Sequence, residues 1–327
     1  MIERLLRLLV GVVLVLLLVW GGLWAIRLAG FGSLLAVSNA SVEPVRPEIP
    51  FAPLTDPALK DPDNPTKVFR VDMAKVEHDF PLSREQLAGI TPANLLALNQ
   101  EEVDQLYGRL TAGPIPDGAY LGDLFFSRGE TLGPRLGEIL GGLEGRIAAE
   151  KVEAAEAAGR ALWKGKMFYR EQRELRNFVE DFRALSGLIG DPGALEKATV
   201  PREGLLRHVL PTTDVWLLFP AKLYCGQSLL DGRRESIVID YAYNDDMAGY
   251  QERPDALVGR NGLRIRDEIR MIRPGFYLGR AYVNKVFLLN FMLMNADVAE
   301  AGRDGFAAGD EVAEDCWAGE QARRAGG

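Results

Sequence analysis

The stretch that most constrains the fold runs from Gly262 to Met294 and contains three strand patterns in direct succession. Pro274 and Gly275 occupy the two central positions of a predicted type II turn, so they join the first pattern to the second. Asn284-Lys285 joins the second pattern to the third. The predicted antiparallel strands cover residues 264–273, 276–283 and 286–294. The third strand is apolar on both faces, which predicts a central, covered position in the sheet.

The first of these strands alternates between two kinds of side chain. One face carries Ile265, Asp267, Ile269 and Met271, and the other carries Arg264, Arg266, Glu268 and Arg270. Because side chains of a strand point alternately to opposite faces, this period of two predicts a half-buried strand.

Further strand patterns precede this stretch and are separated by turn residues and insertions. They cover residues 119–126, 162–169, 177–182, 214–224 and 236–243. Helix N-caps at Ser83, Thr91 and Asn99 predict short helices before the sheet, residues 134–161 predict one long inserted helix, and 187–211 predict a loop. About eight antiparallel strands without regular strand–helix alternation predict an α+β fold, mainly antiparallel β, as a barrel or strongly curved sheet with packing helices.

One transmembrane helix is predicted to precede this fold. Residues 8–26 carry no charge and match the length that a hydrocarbon core of roughly 30 Å requires of a helix. Arg4 and Arg7 precede the segment, which predicts a cytoplasmic N-terminus and a body in the periplasm of a bacterium. A cleaved signal peptide and a secreted protein are the alternative, with a cleavage site at Ser38-Asn39-Ala40, but the apolar run is long for that. An uncleaved, single-pass anchor in the inner membrane is favoured.

Composition divides the chain into four predicted segments. A membrane anchor covers residues 1–30, and a proline-rich linker covers 31–80. Proline at that density favours stiff extended chain, which either spaces the body from the membrane or lies along its surface as a strap. The helix-decorated barrel domain covers 81–296. Residues 297–327 hold eight acidic residues against three arginines, which predicts an acidic flexible tail.

Charge and residue counts argue against several classes of site. The net charge is −8 and basic residues are interleaved with acidic ones, so nucleic acid is not an expected partner. Two histidines and two cysteines are too few for an expected metal centre, and no cofactor motif is present. Cys225 and Cys316 either form a bridge in an oxidising compartment or remain two thiols, and the two-thiol interpretation is favoured.

Aromatic and glycine residues recur at the starts of three predicted strands. The segments are Asp117-Gly118-Ala119-Tyr120-Leu121-Gly122, Leu162-Trp163-Lys164-Gly165-Lys166 and Gly275-Phe276-Tyr277-Leu278-Gly279-Arg280. They resemble the strand starts of lipocalin-like (calycin) β-barrel proteins of the bacterial envelope, over residues 115–294. The resemblance implies an early aromatic residue packed on a late arginine at the closed end of the barrel. It also implies binding of an apolar small molecule or lipid inside the barrel.

Charged, phenolic and aromatic residues on the strands are the candidate ligand-binding residues, because no nucleophile–base pair identifies catalytic ones. They are Trp163, Lys166, Asp240, Tyr241, Asp267, Arg270, Tyr277, Arg280 and Phe291. Asp240 and Asp267 are the strongest candidates, since each shares a strand face with apolar neighbours, and a charge in an apolar row must be paired or functional. For Glu268 and Arg270, ion pairing across the outer face of the sheet is the favoured interpretation.

The favoured function is a membrane-anchored, periplasm-facing protein that binds or transfers an apolar small molecule or lipid in a β-barrel. Aromatic residues along the strands support this prediction. One alternative is a small-molecule enzyme that uses Asp240, Asp267 and Arg270. The other is a scaffold that holds an envelope protein through helix 134–161 and the acidic tail. The residues identify neither the ligand nor a reaction.

Overall fold

A computed structural model defines the fold for part of the chain. It describes residues 45–54, 71–125, 127, 163–180, 189, 191–202 and 211–319. The predicted membrane helix at 8–26 and the predicted helix at 134–161 lie outside these residues. In the described ranges, no helix is both long enough and apolar enough to cross a membrane.

Nine antiparallel strands form the body within the residues that the structure describes. They are β1 (Gly118–Phe125), β2 (Trp163–Tyr169), β3 (Glu174–Val179), β4 (Glu196–Pro201), β5 (Thr212–Gln227), β6 (Glu235–Asp240), β7 (Ile265–Arg273), β8 (Phe276–Val283) and β9 (Val286–Met294). Eight of them close into an antiparallel barrel, because β3 pairs with β5 and β1 pairs with β9. Strands that follow each other along the chain are neighbours in the ring, apart from β4, as in an up-and-down barrel.

The strand predictions are largely confirmed, with errors at strand ends and one strand that was not predicted. Gly275 has the positive φ of 75° that the turn between β7 and β8 requires. β3 begins three residues earlier than predicted, and β6 ends at Asp240 because a 3₁₀ helix covers Tyr241–Asp246. The predicted loop at 187–211 contains β4, which pairs with the first half of β5 outside the ring.

Seven short α-helices accompany the strands in the described part of the chain. They are α1 (Met73–Asp79), α2 (Arg84–Gly89), α3 (Pro92–Leu96), α4 (Gln100–Arg109), α5 (Glu252–Asp255), α6 (Ala296–Ala301) and α7 (Arg303–Ala308). The capping prediction is confirmed, because Ser83, Thr91 and Asn99 each form a reciprocal capping box with the side chain three residues later.

Apolar residues divide between the inside of the barrel and its outer surface. The interior includes Tyr120, Phe168, Ile237, Ile269 and Phe291. A second cluster lies outside, where side chains of α3 and α4 pack against Ile272, Phe276 and Leu278. β7 is therefore buried on both faces, whereas its alternation predicted burial on one. Its polar face is covered by α4 and by the turn after β5. Leu229 N in that turn donates a hydrogen bond to Glu268, and Tyr107 O of α4 accepts one from Arg270.

The C-terminal segment seals one end of the barrel, called here the closed end. Residues predicted as a flexible tail form α6 and α7, and the following chain crosses the strand ends. The Glu314 carboxylate accepts a hydrogen bond of 2.9 Å from Gly113 N, and Asp315 accepts one of 2.7 Å from Ile115 N. Cys316 forms a disulfide with Cys225 of β5, so the favoured two-thiol interpretation was wrong.

Part of the predicted linker lies on the body as a strap. Asn94 Nδ2 donates 2.7 Å to Val45 O, and Ala52 N donates 2.9 Å to Gln105 Oε1. Arg109 donates 2.9 Å to Pro50 O. These bonds fix residues 45–54 along α3 and α4. The linker range also contains α1, which its composition did not predict.

Candidate functional site

A pocket of about 180 Å³ opens at the end of the barrel opposite the C-terminal segment, called here the open end. Its walls combine aromatic and aliphatic side chains with one group of polar residues. The lining residues are Leu124, Trp163, Lys166, Asn177, Phe219, Tyr241, Val258, Ile265, Asp267, Ala281, Leu288, Leu289 and Phe291. A mostly apolar cavity with a few convergent polar groups is the usual form of a small-molecule site.

Four buried polar side chains meet at the inner wall of this pocket, and we call them the polar cluster: Lys166, Asn177, Tyr241 and Asp267. Lys166 Nζ donates to Asp267 Oδ2 at 2.9 Å, to Tyr241 OH at 2.7 Å and to Asn177 Oδ1 at 2.8 Å. All three hydrogens of an ammonium group therefore have acceptors. The Lys166 and Asp267 side chains are 3% and 7% exposed, so the pair is formed away from bulk water.

Three aromatic rings surround the Lys166 ammonium group. Its Nζ lies 5.5 Å from the centroid of Trp163, 5.4 Å from Tyr241 and 5.4 Å from Phe291. Each of these distances is within the range of a cation–π contact. The rings, together with the Asp267 carboxylate, offset part of the cost of removing an ammonium group from water.

Burial shifts the proton affinities of the cluster. Desolvation lowers the pKa of Lys166, while the Asp267 carboxylate opposes that shift. Desolvation also raises the pKa of Tyr241 well above its ordinary value, and the Asp267 charge adds to the effect. Tyr241 therefore remains a neutral phenol, which can donate and accept a hydrogen bond at the same time.

A break in β5 holds Asn177 in place. Phe219 has a positive φ of 54°, and the register between β3 and β5 shifts beside it. The backbone groups freed by this break are satisfied by side chains, because Asn177 Nδ2 donates to Phe219 O at 3.1 Å and Asp255 accepts from Phe219 N at 2.8 Å. Trp163 Nε1 donates to Asn177 Oδ1 at 2.9 Å. The irregular strand thus orients the amide that contacts Lys166.

Glycines on neighbouring strands make room for the two large rings. The Phe291 ring lies against Gly279, its direct partner on β8, and the Trp163 ring lies against Gly122 of β1. A Cβ atom at either glycine would overlap the ring. The rings consequently lie against the barrel wall and meet edge to face, with centroids 5.8 Å apart.

Five of the nine predicted site residues lie together at this pocket. They are Trp163, Lys166, Tyr241, Asp267 and Phe291. Tyr277 is also inside the barrel, but it lies toward the closed end, where its hydroxyl donates 2.6 Å to Pro114 O. Asp240 points to the outer face and accepts a hydrogen bond from Tyr224 OH at 2.6 Å.

The two predicted site arginines are structural residues on the outer face of the barrel. Arg270 donates to Ser236 Oγ at 2.9 Å and to the backbone oxygens of Tyr107 and Arg234 at 3.1 and 3.0 Å. Asp240, Asp267 and Arg270 thus do not form the single site that the enzyme alternative assumed. Glu268 is on the outer face and forms an ion pair with an arginine, as predicted. Its partner is Arg266, at 3.0 Å, which is on the same strand and not across the sheet.

Arg280 does not make the contact that the lipocalin-like resemblance implied. Its guanidinium forms an ion pair with Asp104 of α4 and lies 4.1 Å from the centroid of Phe287. These contacts are on the outer surface, whereas Trp163 and Tyr120 are in the interior. The barrel wall therefore separates Tyr120 and Trp163 from Arg280.

Asn177 is the site residue that the sequence did not reveal. It lies in the inward row of β3 between Leu175 and Val179, so it breaks an apolar row as Asp267 does. Because the predicted strand began at residue 177, Leu175 was not part of it, and the apolar row that Asn177 interrupts was not visible. An earlier strand start would have identified the amide.

Neither a metal-type ligand set nor a relative identifies the site. In the part of the chain that the structure describes, Cys225, Glu235 and Cys316 form one group of metal-type ligands, but its two sulfurs are joined in the disulfide. No protein family model, curated protein or solved structure matches this chain. The pocket and the polar cluster are therefore the features that bear on function.

Proposed function

We propose that the protein binds an apolar small molecule in the open end of the barrel, with one polar group of the ligand against the polar cluster. The observation that carries this proposal is a cavity whose wall is aromatic and aliphatic except at one group of buried, mutually paired residues. Such a wall recognises a hydrocarbon skeleton by contact area and orients it by a single polar group.

The size of the pocket narrows the ligand class. An apolar protein cavity of about 150 Å³ holds a benzene molecule, so about 180 Å³ suits a single substituted ring or a short chain. A lipid would place only one end of a chain in this space. The charges of Lys166 and Asp267 cancel, which favours a neutral ligand over an anion or cation.

The cellular location of the protein is part of the same proposal and rests on the N-terminal sequence. An anchor at residues 8–26 would hold the barrel at the outer side of an inner membrane, where small apolar molecules partition. The up-and-down order of the eight ring strands supports a lipocalin-like interpretation of the binding mode.

Bromobenzene tests the proposal, because a bromine atom quenches the fluorescence of an indole that it contacts. The full chain in phosphatidylcholine nanodiscs is titrated with bromobenzene, alongside Trp163→Phe and the pocket-filling variant Ala281→Trp. We expect saturable quenching that is lost in Trp163→Phe and in Ala281→Trp after correction for the added indole. Linear, unsaturable quenching that is equal in wild type and Trp163→Phe would contradict binding at this pocket.

A further inference from the structure

The pocket presents a primary amine to its contents. Among the described residues that line it, Lys166 is the sole lysine or arginine, and its ammonium group lies at the inner wall among three rings and a carboxylate. A methionine would fill similar space without the cost of burying a charge. Tyr241 and Asn177 add further hydrogen bonds that a binding pocket for pure hydrocarbon does not need.

The neighbours of Lys166 meet the requirements of an amine that attacks a carbonyl group. An ammonium group must first lose a proton, and Asp267 Oδ2 lies 2.9 Å from Nζ to accept it. A carbonyl oxygen that becomes negative needs a donor, and the Tyr241 hydroxyl is 2.7 Å from the same nitrogen. The apolar walls exclude the excess water that would hydrolyse the product.

We propose that Lys166 forms a reversible imine with the carbonyl carbon of a neutral, apolar aldehyde about the size of one substituted ring. This inference rests on the proposed function and names the substrate class for the same pocket. Lysine amines that form such adducts in proteins are commonly desolvated in apolar pockets, as Lys166 is.

The step balances without an external reagent. Asp267 takes one proton from the Lys166 ammonium, and the free amine forms the N–C bond while Tyr241 protonates the carbonyl oxygen. The nitrogen then returns one proton to Tyr241, which leaves a neutral carbinolamine. Asp267 gives its proton to the carbinolamine hydroxyl, the C–O bond breaks, and water leaves. One ammonium and one aldehyde thus give one protonated imine and one water, and the imine cation remains beside the Asp267 carboxylate.

Benzaldehyde with sodium cyanoborohydride tests this inference, because the hydride reduces an imine to a stable benzylamine. The full chain in phosphatidylcholine nanodiscs is used, since that lipid has no primary amine. Intact mass and peptide mapping then locate the benzyl group. Lys166→Arg keeps the cation but removes the nucleophile, and Lys164→Arg is the matched control on the same strand, at a residue that does not line the pocket.

We expect one benzyl group on Lys166, in about tenfold excess over any other lysine because the pocket holds the carbonyl beside the amine. Toluene should compete with this labelling, Lys166→Arg and Ala281→Trp should lose it, and Lys164→Arg should keep it. Labelling spread evenly over the lysines of the chain would overturn the imine. If Lys166→Arg does not fold, the inference is tested on wild type alone, by whether the benzyl group maps to Lys166 and whether toluene prevents its attachment.

The bromobenzene titration separates the two proposals. Saturable quenching of Trp163 without benzyl on Lys166 overturns the imine and leaves the binding function in place. Absence of both signals overturns both. A benzyl group on Lys166 that toluene does not displace also contradicts the inference, because the amine would then react from outside the pocket.

Discussion

Lys166 Nζ and Asp267 Oδ2 lie 2.9 Å apart inside the barrel, although the two residues are 101 positions apart in the sequence. The lysine extends from β2 and the aspartate from β7, so the pair crosses the interior rather than joining neighbouring strands. Each residue is the principal countercharge of the other. The stability of the barrel interior and the chemistry of the pocket therefore depend on the same pair.

Removal of one partner of this pair should lower the free energy of unfolding more than removal of both partners. Lys166→Met and Asp267→Leu each leave a buried charge without its counterion, and we expect each to lower the free energy of unfolding by about 3 kcal/mol. The double variant should lose less than either single variant. Urea unfolding of the four proteins gives the coupling energy, with Lys164→Met as a control that changes stability by less than about 1 kcal/mol. Additive losses would show that the charges do not interact.

Gly279→Ala should destabilise the open end, because a Cβ atom there overlaps the Phe291 ring. Overpacking of this kind typically costs about 1–3 kcal/mol. Phe291→Leu removes the ring edge, so Gly279→Ala should cost less in that background than in wild type. Thermal unfolding of the four proteins measures both effects. An equal loss of stability in both backgrounds would show that overlap with the Phe291 ring is not the cause.

The Cys225–Cys316 bond closes a loop over a sequence separation of 91 residues. Loss of a crosslink of that length should lower the free energy of unfolding by about 4.6 kcal/mol in the chain-entropy description. The Cys225→Ser/Cys316→Ser variant, compared with oxidised wild type by urea unfolding, tests the value. Limited proteolysis should cut the double variant near residues 311–319 and spare wild type. An unchanged cleavage pattern would show that hydrogen bonds alone hold the segment.

Alkaline pH should destabilise the barrel through its buried tyrosines. Burial raises the pKa of Tyr120 to about 12, whereas the unfolded chain has the ordinary value of 10.0. The folded state therefore retains a proton that the unfolded state loses, and stability falls as pH rises from about 10 to 12, by up to ~1.4 kcal/mol per pH unit for this group. Tyr120→Phe keeps the ring and should reduce that slope. Equal slopes for the two proteins, measured by urea unfolding between pH 9 and 11, would contradict the shift.

The ring of strands was predictable because its signals are local. Turn residues such as Pro274 and Gly275 and the alternation within β7 depend on neighbours in sequence, and they located β7, β8 and β9 almost to the residue. Capping residues located α2 to α4 for the same reason. The acidic composition of residues 297–327 predicted a flexible tail, but Asn295 caps α6 by accepting a hydrogen bond from Val298 N, and Phe306 of α7 is buried in the core cluster of the barrel.

The site was predictable only in part, because strand alternation gives two faces but not which face is inside. Asp267 was identified since it interrupts an apolar row, and that row does line the interior. Arg270 belongs to the opposite row, and α4 buries that row too, so its polar character reflects hydrogen bonds to Ser236 and backbone oxygens. Asp240 resembled Asp267 in pattern but lies on the outer face.

The short strand β4 is the open edge among the strands that the structure describes. The eight ring strands each pair on both sides, so among the described strands β4 is the one with a neighbour on a single side. Its exposed residues include Glu196 and Lys197, and it ends at Pro201, which has no N–H to offer another chain. Another strand that approached this edge would therefore meet charge at one end and a missing hydrogen-bond donor at the other, which disfavours edge-to-edge pairing of β4 with a second chain.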